Sequence, residues 1–123
     1  MGEGLGVLIE SIALGRRHVH IVNIPNLGCV PNLPDHAVLE LEGVTDSVGV
    51  RGVNAGEAPL ALAGLLQKRI AWQEMVVDAA VKGERNLVVQ ATLLDEMAIR
   101  PERAEAMVDE LLAASKDYLP QFQ

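Results

Sequence analysis

The hydrophobic positions change period along the chain. Residues 3–14 place Leu5, Leu8, Ile9, Ile12 and Ala13 at i, i+3, i+4, i+7 and i+8, the stripe of an amphipathic helix. Gly15 follows as a stop, with Arg16 and Arg17 at the negative end of the helix dipole. The period then falls to two. Residues 18–24 (HVHIVNI) read as a strand with Val19 and Ile21 on one face and His18, His20, Val22 and Ile24 on the other. Both faces are partly apolar, which predicts a strand covered on both sides. Residues 37–42 (AVLELE) predict a second strand, with Ala37, Leu39 and Leu41 inward and Glu40 and Glu42 opposite. Residues 43–52, with Gly49 and Gly52, predict a loop or a short hairpin.

From Pro59 the spacing is helical. Pro59 suits a first helical position, and Leu62, Leu65, Leu66, Ile70, Val76, Val77 and Ala80 carry the pattern to Lys82, where Gly83 stops it. Residues 84–95 predict a short apolar helix. Pro101 opens a last one with Ala104, Met107, Val108, Leu111 and Leu112 on one face. The reading is an α+β fold, a single domain over 1–123: a small antiparallel or mixed sheet early in the chain, packed with about four helices.

Between the two strands lies Asn23-Ile24-Pro25-Asn26-Leu27-Gly28-Cys29-Val30-Pro31-Asn32-Leu33-Pro34-Asp35. Three prolines and three asparagines in this stretch predict a rigid, polar connection that could form part of a surface.

Composition narrows the function. Half of the 123 residues are hydrophobic, but there is one Trp, one Tyr and one Phe, so the core must be aliphatic. The net charge of -7 argues against nucleic acid and anionic membrane surfaces, which favour basic patches. No apolar run reaches the roughly 18 residues of a membrane span. A single cysteine, Cys29, excludes an internal disulfide and fits a reducing cytoplasm. The N-terminus lacks a basic leader, and Gly6 stands where a myristoylation motif wants Ser or Thr. A helix beginning so near Met1 raises the expectation of upstream material.

The candidate chemistry is thin. His18 and His20 share a strand face and could join His36, Asp35 or Cys29 around a metal, but the spacing matches no specific zinc motif, and strand histidines are the simpler reading. Gly2-Glu3-Gly4-Leu5-Gly6 lacks both the spacing and the preceding strand of a dinucleotide loop. Cys29 has no partnered base in view, so a small buried thiol is expected. Glu3, Glu10, Glu40 and Glu42 could supply the paired carboxylates of glycoside hydrolysis, though sequence gives no separation. Asn23, Asn26 and Asn32 each offer a donor and an acceptor, as sugar hydroxyls require, or shape turns. They are the only substrate-binding candidates; no catalytic, metal-binding or cofactor-binding residue is assigned.

Taken in order, these residues resemble the C-terminal region of family 4 glycoside hydrolases, the NAD- and metal-dependent α-glucosidase, 6-phospho-glycosidase and α-galacturonidase family. Gly2-Glu3, the helix to Gly15 and the stretch Val22–Asp35 are similar to that family's "GE…I…I…N..N.G.I.NLP.D" signature. Its "VVEVP" strand is similar to Val38-Leu39-Glu40-Leu41-Glu42. Its "V.E…EAAL.GDR" helix is similar to Trp72–Arg85, and its usual close to Asp117-Tyr118-Leu119-Pro120-Gln121-Phe122. Leu27 stands where members often carry Asn, Glu42 where they carry Pro, and residues 95–100 (DEMAIR) replace a "DP.T" stretch.

The resemblance implies that this chain corresponds to the C-terminal third of such an enzyme. The Rossmann domain with its NAD loop, the metal-binding Cys and His, and a Tyr base then belong to an N-terminal part absent from 1–123. Cys29 and the histidines do not match those ligand positions. NAD and Mn²⁺ are the family's cofactors; none is expected for this chain alone. It implies a catalytically incomplete domain that helps to wall a sugar site and to build subunit contacts. The expected partners are further copies of the chain, as a homodimer or higher oligomer, or a separate Rossmann-type subunit. The rival reading is a free-standing sugar- or protein-binding module.

Overall fold

The computed structural model describes residues 4–95 and 100–122. Gly2-Glu3, and most of the departure at residues 95–100, lie outside them. Among these residues the fold is α+β, with a three-stranded antiparallel sheet early in the chain and four α-helices, α1 (Leu5–Ala13), α2 (Leu60–Lys82), α3 (Arg85–Leu94) and α4 (Ala104–Ala114). The chain divides into two compact units, residues 1–64 and 65–123.

In the first unit the strands are β1 (His18–Pro25), β2 (Val38–Asp46) and β3 (Gly49–Gly52), in the order β1-β2-β3. β2 runs on past residue 42 and turns tightly into β3, so residues 43–52 form a hairpin. Val22 pairs with Leu41 and Ile24 with Leu39, which puts these four side chains on one inner face. Gly43 is required there: a β-carbon would lie 2.7 Å from both Val22 and Val50.

Helix α1 ends as its sequence indicates. Gly15 takes φ 63°, Arg16 N donates to Ser11 O (2.8 Å) and Gly15 N to Ile12 O (3.2 Å), the two bonds of a Schellman cap. Its buried face differs from the apolar stripe. Ser11 is fully buried, Leu8 and Ile12 are half-buried, and Leu5 and Ile9 are exposed. Ser11 can be buried because its hydroxyl is doubly engaged: it donates to Leu8 O (2.8 Å) and lies 3.3 Å from His20 Nε2. Thr45, also fully buried, accepts from His18 N (3.3 Å) and reaches His18 O (3.2 Å), fixing the first residue of β1. The expectation that β1 is covered on both faces is not met within this unit. Val19 and Ile21 on the outer face are 53% and 64% exposed.

The second unit has a core of small side chains. Ala79, Ala91, Ala104 and Val108 are buried, which lets helix backbones approach closely. The Ala-rich contacts leave an apolar cavity of about 460 Å³ among Trp72, Val76, Val88, Met107 and Phe122. Arg69 lies over Trp72 (5.7 Å) and pairs with Asp95 (3.2 Å). Gly83 ends α2 at φ 69°, packed on the Gln121 backbone, while Gln121 Nε2 donates to Ala80 O (3.0 Å). Arg85 clasps Asp109 through two bonds of 2.6 and 3.0 Å. On α2, Leu62, Leu65, Val76, Val77 and Val81 remain exposed.

Candidate functional site

The stretch from Asn23 to Asp35 closes into a tight loop after β1. Its neck is a short extension of the ladder: Asn26 N donates to Ala37 O (2.8 Å) and Leu27 N to Asp35 O (3.0 Å). The chain then reverses through Leu27 at φ 44° and Gly28 at φ 83°. Two successive left-handed residues make a sharp bend, easy for glycine and unfavourable for leucine.

Asn26 holds the interior. It is fully buried, and its side-chain nitrogen lies 3.0 Å from Val30 O, 3.0 Å from Leu33 O and 3.2 Å from Pro34 O. Its side-chain oxygen accepts from Val30 N at 2.7 Å. One amide thus serves backbone groups that the prolines and the bend keep out of any regular ladder. Asn32 braces the loop from outside. It donates to Ala58 O (2.8 Å) and accepts from Ala58 N (2.9 Å), binding the loop to the segment before α2. Ala55 N adds a bond to Cys29 O (2.8 Å).

The three asparagines therefore divide. Asn26 and Asn32 have their amides engaged within the fold, and Asn23 stands exposed on the outer face of β1. Across the ladder Asn23 pairs with Glu40, and Ile21 with Glu42, and both glutamates are exposed. Asn23, Glu40 and Glu42 thus form one polar group beside the loop. Glu10 is elsewhere, paired with Arg16 (2.7 Å), and Glu3 lies outside the described residues. Ser11, Thr45 and Ala58 were not legible as partners, because nothing in the spacing marks a buried hydroxyl or a backbone clasp 26 residues away.

The charged groups flanking the sheet are set by local bonds. The Val48 amide (2.8 Å), with help from Arg51, holds the Asp46 carboxyl below the usual carboxylate range at the β2–β3 turn. In the second unit the hydrogen-bonded Arg85 guanidinium does the same for Asp109.

The described residues do not fit a resident metal. No three His, Cys, Asp or Glu side chains among them come together as a ligand set. His20 is turned inward to Ser11, with the His18 ring 6.1 Å away. The Cys29 sulfur is turned toward the sheet, where a β-carbon at Gly52 would lie 2.5 Å from it. Among the described residues no helix is long and apolar enough to cross a membrane.

A small antiparallel sheet with a Pro/Asn loop at its end, followed by helices, is the architecture of a known enzyme domain. Residues 3–98 match the family 4 glycosyl hydrolase C-terminal domain, and the chain belongs to that family. It is 36% identical over 119 residues to an alpha-galactosidase of Bacillus subtilis, covering 94% of this chain and 28% of that enzyme. It is 34% identical over 123 residues to an alpha-galacturonidase of Lachnoclostridium phytofermentans, covering 96% of this chain and 26% of that enzyme. The crystal structure of a 6-phospho-beta glucosidase from Thermotoga maritima, with manganese, NAD+ and glucose-6-phosphate, superposes with a TM-score of 0.85 at 26% identity over 91% of this chain and 28% of that one. The chain thus spans about a quarter of the length of the relatives it matches.

Proposed function

We propose that this chain serves a family 4 glycosidase as a rigid wall of the sugar site and leaves the reacting groups to a Rossmann-type domain. The observation that carries this is the division among the asparagines. Asn26 and Asn32 hold the loop, and Asn23 is the one whose amide faces solvent, next to Glu40. A surface fixed in advance by internal hydrogen bonds loses little entropy when a sugar binds. Asn23 is the residue we assign to a sugar hydroxyl. Asn26 and Asn32 contribute by shape.

The relatives support the reading. They include glycosidases of phosphorylated and of unphosphorylated sugars, and the T. maritima enzyme holds NAD+ and manganese. Because the described residues make no metal site, the hydride and proton steps of such an enzyme are assigned to the partner domain, and this chain orients the glycoside. The natural substrate class is an α- or β-linked hexoside or hexuronide.

The test is complementation. The chain is mixed with NAD, Mn²⁺ and nitrophenyl glycosides, first alone and then with the Rossmann-type portion of a family 4 enzyme. Turnover only in the mixture is expected. Turnover by the chain alone would overturn the reading, as would a mixture that binds tightly yet never turns over.

A further inference from the structure

The second unit holds two cavities that share a wall and have opposite linings. We propose that together they bind a small amphipathic anion, a carboxylate on an aliphatic chain, at a site independent of the sugar wall.

The apolar cavity of about 460 Å³ lies among α2, α3 and α4, with Trp72, Val76, Val88, Leu112 and Phe122 around it. A second cavity, of about 470 Å³, lies at the start of α4 and is lined by Leu93, Arg100, Arg103 and Met107. Each has the size of a small-molecule site, about 300–1,000 Å³. Thr92 and Met107 line both. The first cavity offers burial of apolar surface, and the second offers charge. Met107 suits the partition between them, because its unbranched side chain adapts its shape readily.

The charge is available. Arg16, Arg51, Arg69 and Arg85 each pair with a carboxylate. Arg100 and Arg103 make no ion pair among the described residues, although acidic side chains outnumber Lys and Arg by 17 to 10 in the chain. Two guanidiniums three residues apart thus face one cavity, and the start of α4 adds the positive end of its dipole. Glu110 also lines this cavity. It follows Arg103 by seven residues, about 10 Å along a helix, so repulsion keeps an anion at the arginine end. Thr92 does not compete as a donor, since its hydroxyl donates to Val88 O (2.8 Å). An alcohol of the same chain length buries its tail equally well and leaves the guanidiniums in water. That difference separates this site from a merely greasy surface.

Trp72 is the chain's single tryptophan and lines the apolar cavity, so its fluorescence reports occupancy. The test is titration of the whole chain with hexanoate, heptanoate, octanoate and octanol, read by that fluorescence and by calorimetry. Saturable binding is expected, tightening about fourfold for each added CH₂. Octanoate should bind about tenfold more tightly than octanol, the scale of one charge-assisted contact. Arg100→Gln combined with Arg103→Gln changes two exposed side chains. It should remove the advantage of octanoate while leaving octanol binding and the circular dichroism unchanged. Val76→Phe, which fills part of the apolar cavity from a half-exposed position, should weaken octanoate and octanol alike. No saturable binding by either readout, equal affinity for octanoate and octanol, or an octanoate advantage that survives the double arginine variant would each overturn the proposal. So would octanoate binding that Val76→Phe leaves unchanged.

Discussion

The side-chain nitrogen of Asn26 lies 3.0 Å from the carbonyl oxygen of Leu33, seven residues on, across the interior of the loop that follows β1. With its bonds to Val30 and Pro34, this contact makes one side chain the centre of the loop. Asn26→Ala would leave several inward-facing backbone groups without a partner, each costing about 1–3 kcal/mol. We expect a loss of about 3 kcal/mol in urea unfolding. Asn32→Ala, at the half-buried brace to Ala58, should cost about 1 kcal/mol in the same measurement.

Leu27 is held at φ 44° with its side chain 76% exposed. The left-handed conformation is unfavourable for leucine, and its side chain is too exposed to offset this by burial. Leu27→Asn or Leu27→Gly should therefore stabilise the chain by about 0.5 kcal/mol, read as a higher urea midpoint. A lower midpoint for both would show that the Leu27 side chain has a packing role.

Gly83→Ala combines a positive φ with a β-carbon directed into the Gln121 backbone. A cost of about 2 kcal/mol or more is expected, with release of the final turn at Pro120–Phe122. Limited proteolysis should then remove the C-terminal residues faster than in the parent chain.

Acid should weaken both units through identified carboxylates. The Asp46 and Asp109 pKa values are lowered in the folded chain, so their stabilisation is complete above the unfolded value of 3.8 and is lost as pH falls through the folded values. Asp109→Asn should lower stability at pH 7 slightly, converge with the parent chain as pH falls below 3.8 through the folded Asp109 value, and so flatten the acid limb by that same small amount, because the pair is solvent-exposed. An unchanged acid limb would contradict the assignment.

Much of the fold is legible in the sequence, because period and punctuation agree. The change from helical to alternating spacing at Gly15, the stop at Gly83 and the restart at Pro101 all coincide with element ends. The buried polar centre is not legible: Ser11 and Thr45 are inside because of partners that no spacing reveals. Nor does the pattern distinguish an apolar side chain that is buried from one that is not. Leu5, Ile9, Val19 and Ile21 fit their stripes and are nonetheless exposed, since period fixes a face and only packing covers it. The loop is the instructive case. Its composition announces rigidity, and its three asparagines are chemically alike. Only geometry separates the buried post, the brace and the exposed amide.

The most direct measurement of the central claim is steady-state kinetics of the reconstituted assembly carrying Asn23→Ala. If the exposed amide contacts the sugar and the loop acts by shape, KM should rise about tenfold for the loss of one hydrogen bond, about 1.4 kcal/mol, with the fold of the chain unchanged. A KM and kcat both equal to those of the parent assembly would contradict the account.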